Sequence, residues 1–217
     1  MATTKDLQAD LKMLVARIND DAHDWRAYVD LINVLVTSEN FVEAEELALK
    51  SLTLFKSSTE AQQQLLYTTG NLYYLAGKYE LANQFFTQVD DRNLKHDATM
   101  MQAQSWFNQK RYQQALAFAL TGVEQQPNDE AAQVLLGNIW MSLQSFEQAA
   151  TQFEQALKVN QDNFDANFGL GVLAAINGER ENHGFTMAKQ IDAEKFERQT
   201  RQLDDLLQVM VGNRNDE

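Results

Sequence analysis

Apolar positions recur every three or four residues along this chain. Leu7, Leu11, Leu14, Val15 and Ile18 mark one helix face near the start, and Leu203, Leu206, Leu207 and Met210 mark another near the end. No sustained strand-type alternation interrupts them. A single proline, Pro127, and nine glycines leave long stretches without helix breakers. The pattern predicts an all-α protein.

A shorter phrase lies on top of this rhythm: an aromatic, two polar-tolerant positions, then alanine. It reads Phe41-Val-Glu-Ala44, Tyr79-Glu-Leu-Ala82, Tyr112-Gln-Gln-Ala115, Phe146-Glu-Gln-Ala149 and, more weakly, Phe185-Thr-Met-Ala188. Ala82, Ala115 and Ala149 are 33 and 34 residues apart. A fixed period of that size predicts stacked supersecondary units, each unable to bury its apolar face alone.

The turns between units are also marked. Asn40-Phe-Val-Glu43 and Ser145-Phe-Glu-Gln148 fit a capping box, and Asn128-Asp129 and Asp162-Asn163 offer N-cap side chains. Gly77 suits a left-handed helix stop before Tyr79. Two intervals are long. Ala44 to Ala82 predicts a lengthened turn around Lys56–Thr59, and Ala149 to Ala188 places its extra length in Gly178–Gly184.

In register, the sequence resembles the tetratricopeptide repeat, a helix–turn–helix unit of about 34 residues. The resemblance rests on Gly137, Trp140, Ala149, Phe153 and Ala156 in one unit, on Ala103, Trp106, Ala115, Gly122 and Pro127 in another, and on Gly70, Tyr73, Ala82 and Phe86 in a third. The first unit keeps Ile32, Leu35, Ala44 and Ala48. After Ala188 the pattern dissolves, with Asp192 and Lys195 where an aromatic and a small residue belong. The fifth unit could thus be half a repeat that merges into a terminal helix.

The resemblance implies a right-handed α-solenoid of about five units in a single domain, 1–217. Its parts are an N-terminal capping helix at 3–19, repeats at 25–58, 63–95, 96–129 and 130–163, a degenerate repeat at 164–192 and a C-terminal capping helix at 193–211.

Charge narrows the partners. The net charge of −13 and pI of about 4.6 disfavour nucleic acid and anionic membrane surfaces. No segment reads as a secretory signal or a membrane span, so a cytoplasmic location is expected. The absence of cysteine removes disulfides and thiolate chemistry.

Catalytic signatures are missing. No phosphate loop, nucleophile elbow or metal-binding helix motif occurs. His23, His96 and His183 fall in different units and read as solvated turn residues, and acidic pairs such as Asp204-Asp205 as solvated faces. Gly169-Leu-Gly171 reads as helix packing. No catalytic residue, metal or cofactor is expected.

The repeat phase assigns a groove. In the family the first helix of each pair lines the concave side. Carried over by position, that side holds an amide row of Asn33, Asn71, Gln104 and Asn138, ending in Val172. Flanking rails are Val29, Tyr67, Met100, Val134 and Phe168 on one side, and Val36, Tyr74, Phe107, Met141 and Ala175 on the other. Carboxamides both donate and accept, so such a row can hold an extended backbone without demanding one sequence. The alternative is polar residues at solvated positions beside ordinary packing residues.

A carboxylate clamp of the kind used by chaperone-binding members is disfavoured. Its positions carry Val29, Asn33, Thr68, Asp97 and Met101, and Asp97 would repel a carboxylate. The expectation is a non-enzymatic scaffold or adaptor that binds a protein or extended peptide. Alternatives are a structural subunit that forms a homodimer through the Leu203–Met210 stripe, and a peptide-sensing regulator without a DNA-binding domain.

Overall fold

The computed structural model describes the backbone of residues 4–212 and the side chains of residues 7–203. Twelve helices and no strand occur among the described residues. The fold is an all-α solenoid of stacked helix hairpins. The chain divides into two compact units, residues 1–125 and 126–217.

The first unit holds α1 (Thr4–Asp20), α2 (Trp25–Thr37), α3 (Phe41–Leu54), α4 (Thr59–Leu75), α5 (Tyr79–Phe86), α6 (Lys95–Asn108) and α7 (Tyr112–Gln125). Each helix packs on the next, and α4 also packs on α2 and α6. The second unit holds α8 (Glu130–Ser142), α9 (Phe146–Val159), α10 (Phe164–Ile176), α11 (His183–Ile191) and α12 (Ala193–Gly212). There, too, successive helices pack together, and α8 meets α10.

All five alanines of the recurring phrase, Ala44, Ala82, Ala115, Ala149 and Ala188, are completely buried. They let the two helices of a hairpin approach, and large side chains fill the holes beside them. Phe153 is the clearest filler. A Cβ at Gly137 on α8 or Gly169 on α10 would lie 2.6 or 2.5 Å from its ring. The Gly169-Leu-Gly171 pair is therefore packing, since Gly171 meets Phe185 in the same way. In the hairpin α6–α7, Ala119 takes the aromatic position and Met100 fills the gap, its sulfur lying over Gly122. Burying one such side chain stabilises by about 1.5–3 kcal/mol.

Every hairpin turns the same way. Glu39, Gly77, Lys110, Gln144 and Gly178 all have positive φ, at 60°, 73°, 60°, 59° and 98°. The next residue's N–H returns to a carbonyl five residues back: Asn40 to Leu35, Lys78 to Tyr73, Arg111 to Trp106, Ser145 to Trp140 and Glu179 to Ala174, at 2.8–3.0 Å. That bond satisfies an orphan carbonyl at the helix end and fixes the reversal.

Several expectations need correction. Neither Asn40 nor Ser145 makes a side-chain capping bond. Their ψ values of 62° and 71°, set by the preceding left-handed residue, differ from those at Ser58, Asp129 and Asn163. Those three have ψ of 105–111° and do cap their helices. The extra length before Ala82 is not in the turn. It is an added helical turn that makes α4 17 residues long, against 13 in α2. His96 is not a turn residue: it is buried in α6.

The lengthened α4 is matched by a shortened partner. Helix α5 has only eight residues, and residues 87–94 continue as an irregular segment. Gln63, in the second turn of α4, accepts from the backbone N–H of Asp90 and Asp91 at 2.5 and 2.9 Å. Lys95 donates to the Val89 carbonyl at 3.0 Å. These bonds replace those the missing helical turn would have made.

At the far end, α10 and α11 form a hairpin, and α12 follows after one residue. Asp192 accepts from the Lys195 N–H at 2.8 Å and starts α12, and Lys195 pairs with Asp165 at 2.8 Å. The repeat pattern dissolves after Ala188 because these positions begin and anchor a different helix. The side chains of Leu206, Leu207 and Met210, and of Asp204 and Asp205, lie outside the described residues.

Candidate functional site

In the first unit, α2, α4 and α6 lie side by side, and their outward positions carry the predicted amides. Asn33 is exposed on α2, while Asn71 on α4 and Gln104 on α6 are partly exposed. Side chains one helical turn away engage two of these three. Asn71 stands one helical turn from Tyr67 and draws the pKa of its hydroxyl down. Gln104 Nε2 donates to Asn108 Oδ1 at 3.0 Å, and Asn108 Nδ2 donates to the Tyr74 hydroxyl at 3.0 Å. The last bond crosses from α6 to α4. Asn108 thus joins the site although its helix position falls outside the family's groove set; its only sequence signal is the four-residue spacing from Gln104.

Both tyrosines lean on the core. Tyr67 packs on Phe86 with ring centroids 5.9 Å apart, and Tyr74 on Tyr79 at 5.6 Å. Burial raises the pKa of each hydroxyl; Asn71 at Tyr67 and the bond to Asn108 at Tyr74 oppose the shift, and the charge of Asp97 adds to it at Tyr67. Phe107 packs against Tyr112 at a tilt of 55° with ring centroids 5.6 Å apart, and Met100 is half-buried over Gly122. Val29 and Val36 are buried.

In the second unit the predicted residues divide. Asn138 on α8 is partly exposed, and Val134 and Met141 pack against the core of Ala149, Phe153 and Ala156. Val172 is buried. Phe168 belongs to an aromatic cluster with Phe164, Phe185 and Phe196, at centroid distances of 5.8, 5.4 and 6.0 Å. Phe196 comes from α12, so that helix covers one side of Phe168.

A second polar arrangement braces the first unit. Glu45 on α3 accepts from the Tyr73 hydroxyl at 2.9 Å and pairs with Lys78 at 2.9 Å. Lys78 also lies 5.5 Å from the Tyr73 ring centre. Lys78, then Tyr73, hold the Glu45 carboxyl below its usual range. Burial, reinforced by the Glu45 charge, pushes the Tyr73 hydroxyl up to about 12.

Among the described residues, no group of three or more His, Asp or Glu is placed to hold a metal ion. No helix there is long and apolar enough to cross a membrane.

Comparison with known proteins agrees with this geometry. A family described as "Tetratricopeptide repeat" matches residues 67–130, and one described as "TPR repeat" matches residues 137–178. No curated protein sequence matches the chain. Among solved structures, it is similar to YrrB, described as a TPR protein with an unusual peptide-binding site. The TM-score is 0.61 at 20% identity, over 87% of this chain and 97% of that one. It is also similar to Pseudomonas aeruginosa pilF, with a TM-score of 0.67 at 15% identity over 91% and 97% of the two chains. The first TPR of Spaghetti (RPAP3), bound to the HSP90 peptide SRMEEVD, gives 0.50 at 24% identity over 54% and 93%. At these identities the likeness is one of fold.

Proposed function

The chain belongs to the tetratricopeptide-repeat proteins, and we propose that it is a non-enzymatic interaction module that holds an extended segment of another protein. The α2–α4–α6 face of the first unit is the binding surface. The observation that carries this reading is the hydrogen-bonded line Tyr74–Asn108–Gln104, with Tyr67 and Asn71 beside it on the same face. These bonds hold the Gln104 and Asn108 amides in place and leave each carboxamide with unused donor or acceptor capacity. A pre-set row loses less entropy on binding a peptide backbone than a mobile one.

The half-buried rings of Tyr67 and Tyr74 offer flat apolar contact beside that row. Two similar structures are described with peptide sites or peptides, which supports the same use of the fold. In the second unit, Asn138 with Val134 and Met141 is a smaller surface of the same kind. An acidic terminal motif is a poor fit, because Asp97 stands beside Tyr67.

Selection from a random peptide display library tests the proposal. Wild-type protein enriches peptides, and Asn71→Ala/Gln104→Ala weakens the enriched peptides by roughly tenfold or more. Circular dichroism and Tm of the variant stay at wild-type values. If the library yields no binder, or the double variant binds as well as wild type, the reading is wrong.

A further inference from the structure

A cleft of about 480 Å³ opens beside α5 and α6, lined by Glu80, Asn83, Gln84, Thr87 and Trp106. Asn83 is only 6% exposed, yet neither its Oδ1 nor its Nδ2 has a hydrogen-bond partner. The indole Nε1 of Trp106 is equally buried and equally unpartnered. Buried polar groups are nearly always paired, so a donor–acceptor amide and a donor indole beside one cleft call for an explanation.

The preceding hairpin junction supplies a standard of comparison. There Tyr73, Lys78 and Glu45 hold the positions that Trp106, Arg111 and Asn83 hold here. The basic residue lies over the ring in both, Lys78 at 5.5 Å and Arg111 at 4.4 Å. In the first junction the Glu45 carboxylate completes the set. In the second, Asn83 pairs with neither Trp106 nor Arg111.

We propose that this cleft is a second binding site, for one peptide unit of an extended segment. The site lies apart from the α2–α4–α6 face and stands without it. A peptide unit presents a C=O and an N–H together. Its carbonyl can accept from one of the unpartnered donors, Trp106 Nε1 or Asn83 Nδ2, and its N–H can donate to Asn83 Oδ1. Either orientation of the Asn83 amide leaves one donor and one acceptor, so the match does not depend on which way it points. Thr87 takes no part, because its hydroxyl donates to the backbone carbonyl of Asn83 and accepts from Gln102. The exposed Glu80 on the rim, with the net charge of −13, selects a neutral or basic segment over a carboxylate.

The test uses the full chain with 15N-labelled tryptophan. Its three indole signals, from Trp25, Trp106 and Trp140, are followed by NMR. The probe is N-acetylglycine N-methylamide, a minimal peptide group, and N-acetylglycinate is the carboxylate control. The Trp106 signal should move saturably with the diamide in the millimolar range while the other two stay put. Asn83→Leu should weaken that response by roughly tenfold or more. Glu80→Gln, on the exposed rim and so safe for folding, should keep diamide binding and narrow the preference over the carboxylate. The proposal fails if Trp106 does not respond, if all three indoles move alike, or if the carboxylate binds and the diamide does not. It also fails if folded Asn83→Leu responds like wild type.

Discussion

Two junctions in the first unit use the same three positions and end differently. Between α3 and α4, a carboxylate, a phenol and an ammonium close on each other, and burial is accompanied by pairing. Between α5 and α6, an amide, an indole and a guanidinium occupy those positions, and the amide and indole remain unpaired. The helices differ to match. Helix α3 runs 14 residues, while α5 stops after eight and leaves a cleft beside its last turn. A repeat array thus tolerates one imperfect joint, because each hairpin draws stability from both neighbours. The completed joint serves stability, and the open one is available for binding.

Alkaline titration tests the closed junction most severely. The Tyr73 hydroxyl has its pKa raised from 10 to about 12. Its neutral form therefore contributes stability that is intact below about pH 10 and lost as pH rises towards 12. The loss attributable to this residue is roughly 2–3 kcal/mol. Urea denaturation of wild type and Tyr73→Phe across that range isolates it: the wild-type curve falls more steeply. Parallel curves would mean that the first junction is no more closed than the second.

Removing the carboxylate comes next. Glu45→Ala leaves the Tyr73 hydroxyl and Lys78 without their partner and should cost about 2 kcal/mol in urea unfolding. Glu45 has a lowered carboxyl pKa in the folded state. Its contribution is therefore present above the usual 4.5 and disappears as pH falls below it, a loss that Glu45→Gln would not show. At the second junction the sign reverses. Asn83→Leu replaces an unpaired buried amide with an apolar group of similar size and should raise stability by about 1 kcal/mol, measured the same way. A loss at Asn83 as large as that at Glu45 would show that the amide is structurally paired, and the contrast would collapse.

Much of the architecture was legible in the sequence because close packing leaves few choices. Only a small residue fits where two helices touch, so Ala44 to Ala188 announced themselves. The hairpin turns were legible only in part. Gly77 advertises a left-handed stop, but Glu39, Lys110 and Gln144 adopt positive φ under backbone bonds that carry no side-chain signature. The capping-box pattern at Asn40 and Ser145 misled for the same reason: the turn before each sets a ψ from which the side chain does not cap. A count showed that residues had been added before Ala82. It could not place them in α4, nor foresee that Gln63 would brace a segment 27 residues away. On the α2–α4–α6 face, repeat phase placed Tyr67, Asn71, Tyr74 and Gln104. The bond from Asn108 to Tyr74 depends on how two helices sit, which no local pattern encodes.

The smallest effect concerns the turns that lead into the two junctions. Gly77 precedes Lys78 in one and Lys110 precedes Arg111 in the other, at φ of 73° and 60°. A Cβ added at Gly77 would meet no atom within 4 Å, so any cost of substitution there is backbone strain alone. Gly77→Ala should then destabilise by about 1 kcal/mol, and Lys110→Gly should stabilise by roughly 0.5–1 kcal/mol. Thermal unfolding of both variants checks the pair. Opposite shifts of Tm would show that the two turns are the same device with and without its preferred residue. If Lys110→Gly is neutral or destabilising, the lysine side chain must contribute at that turn, and the second junction would be better supported than its unpaired amide indicates.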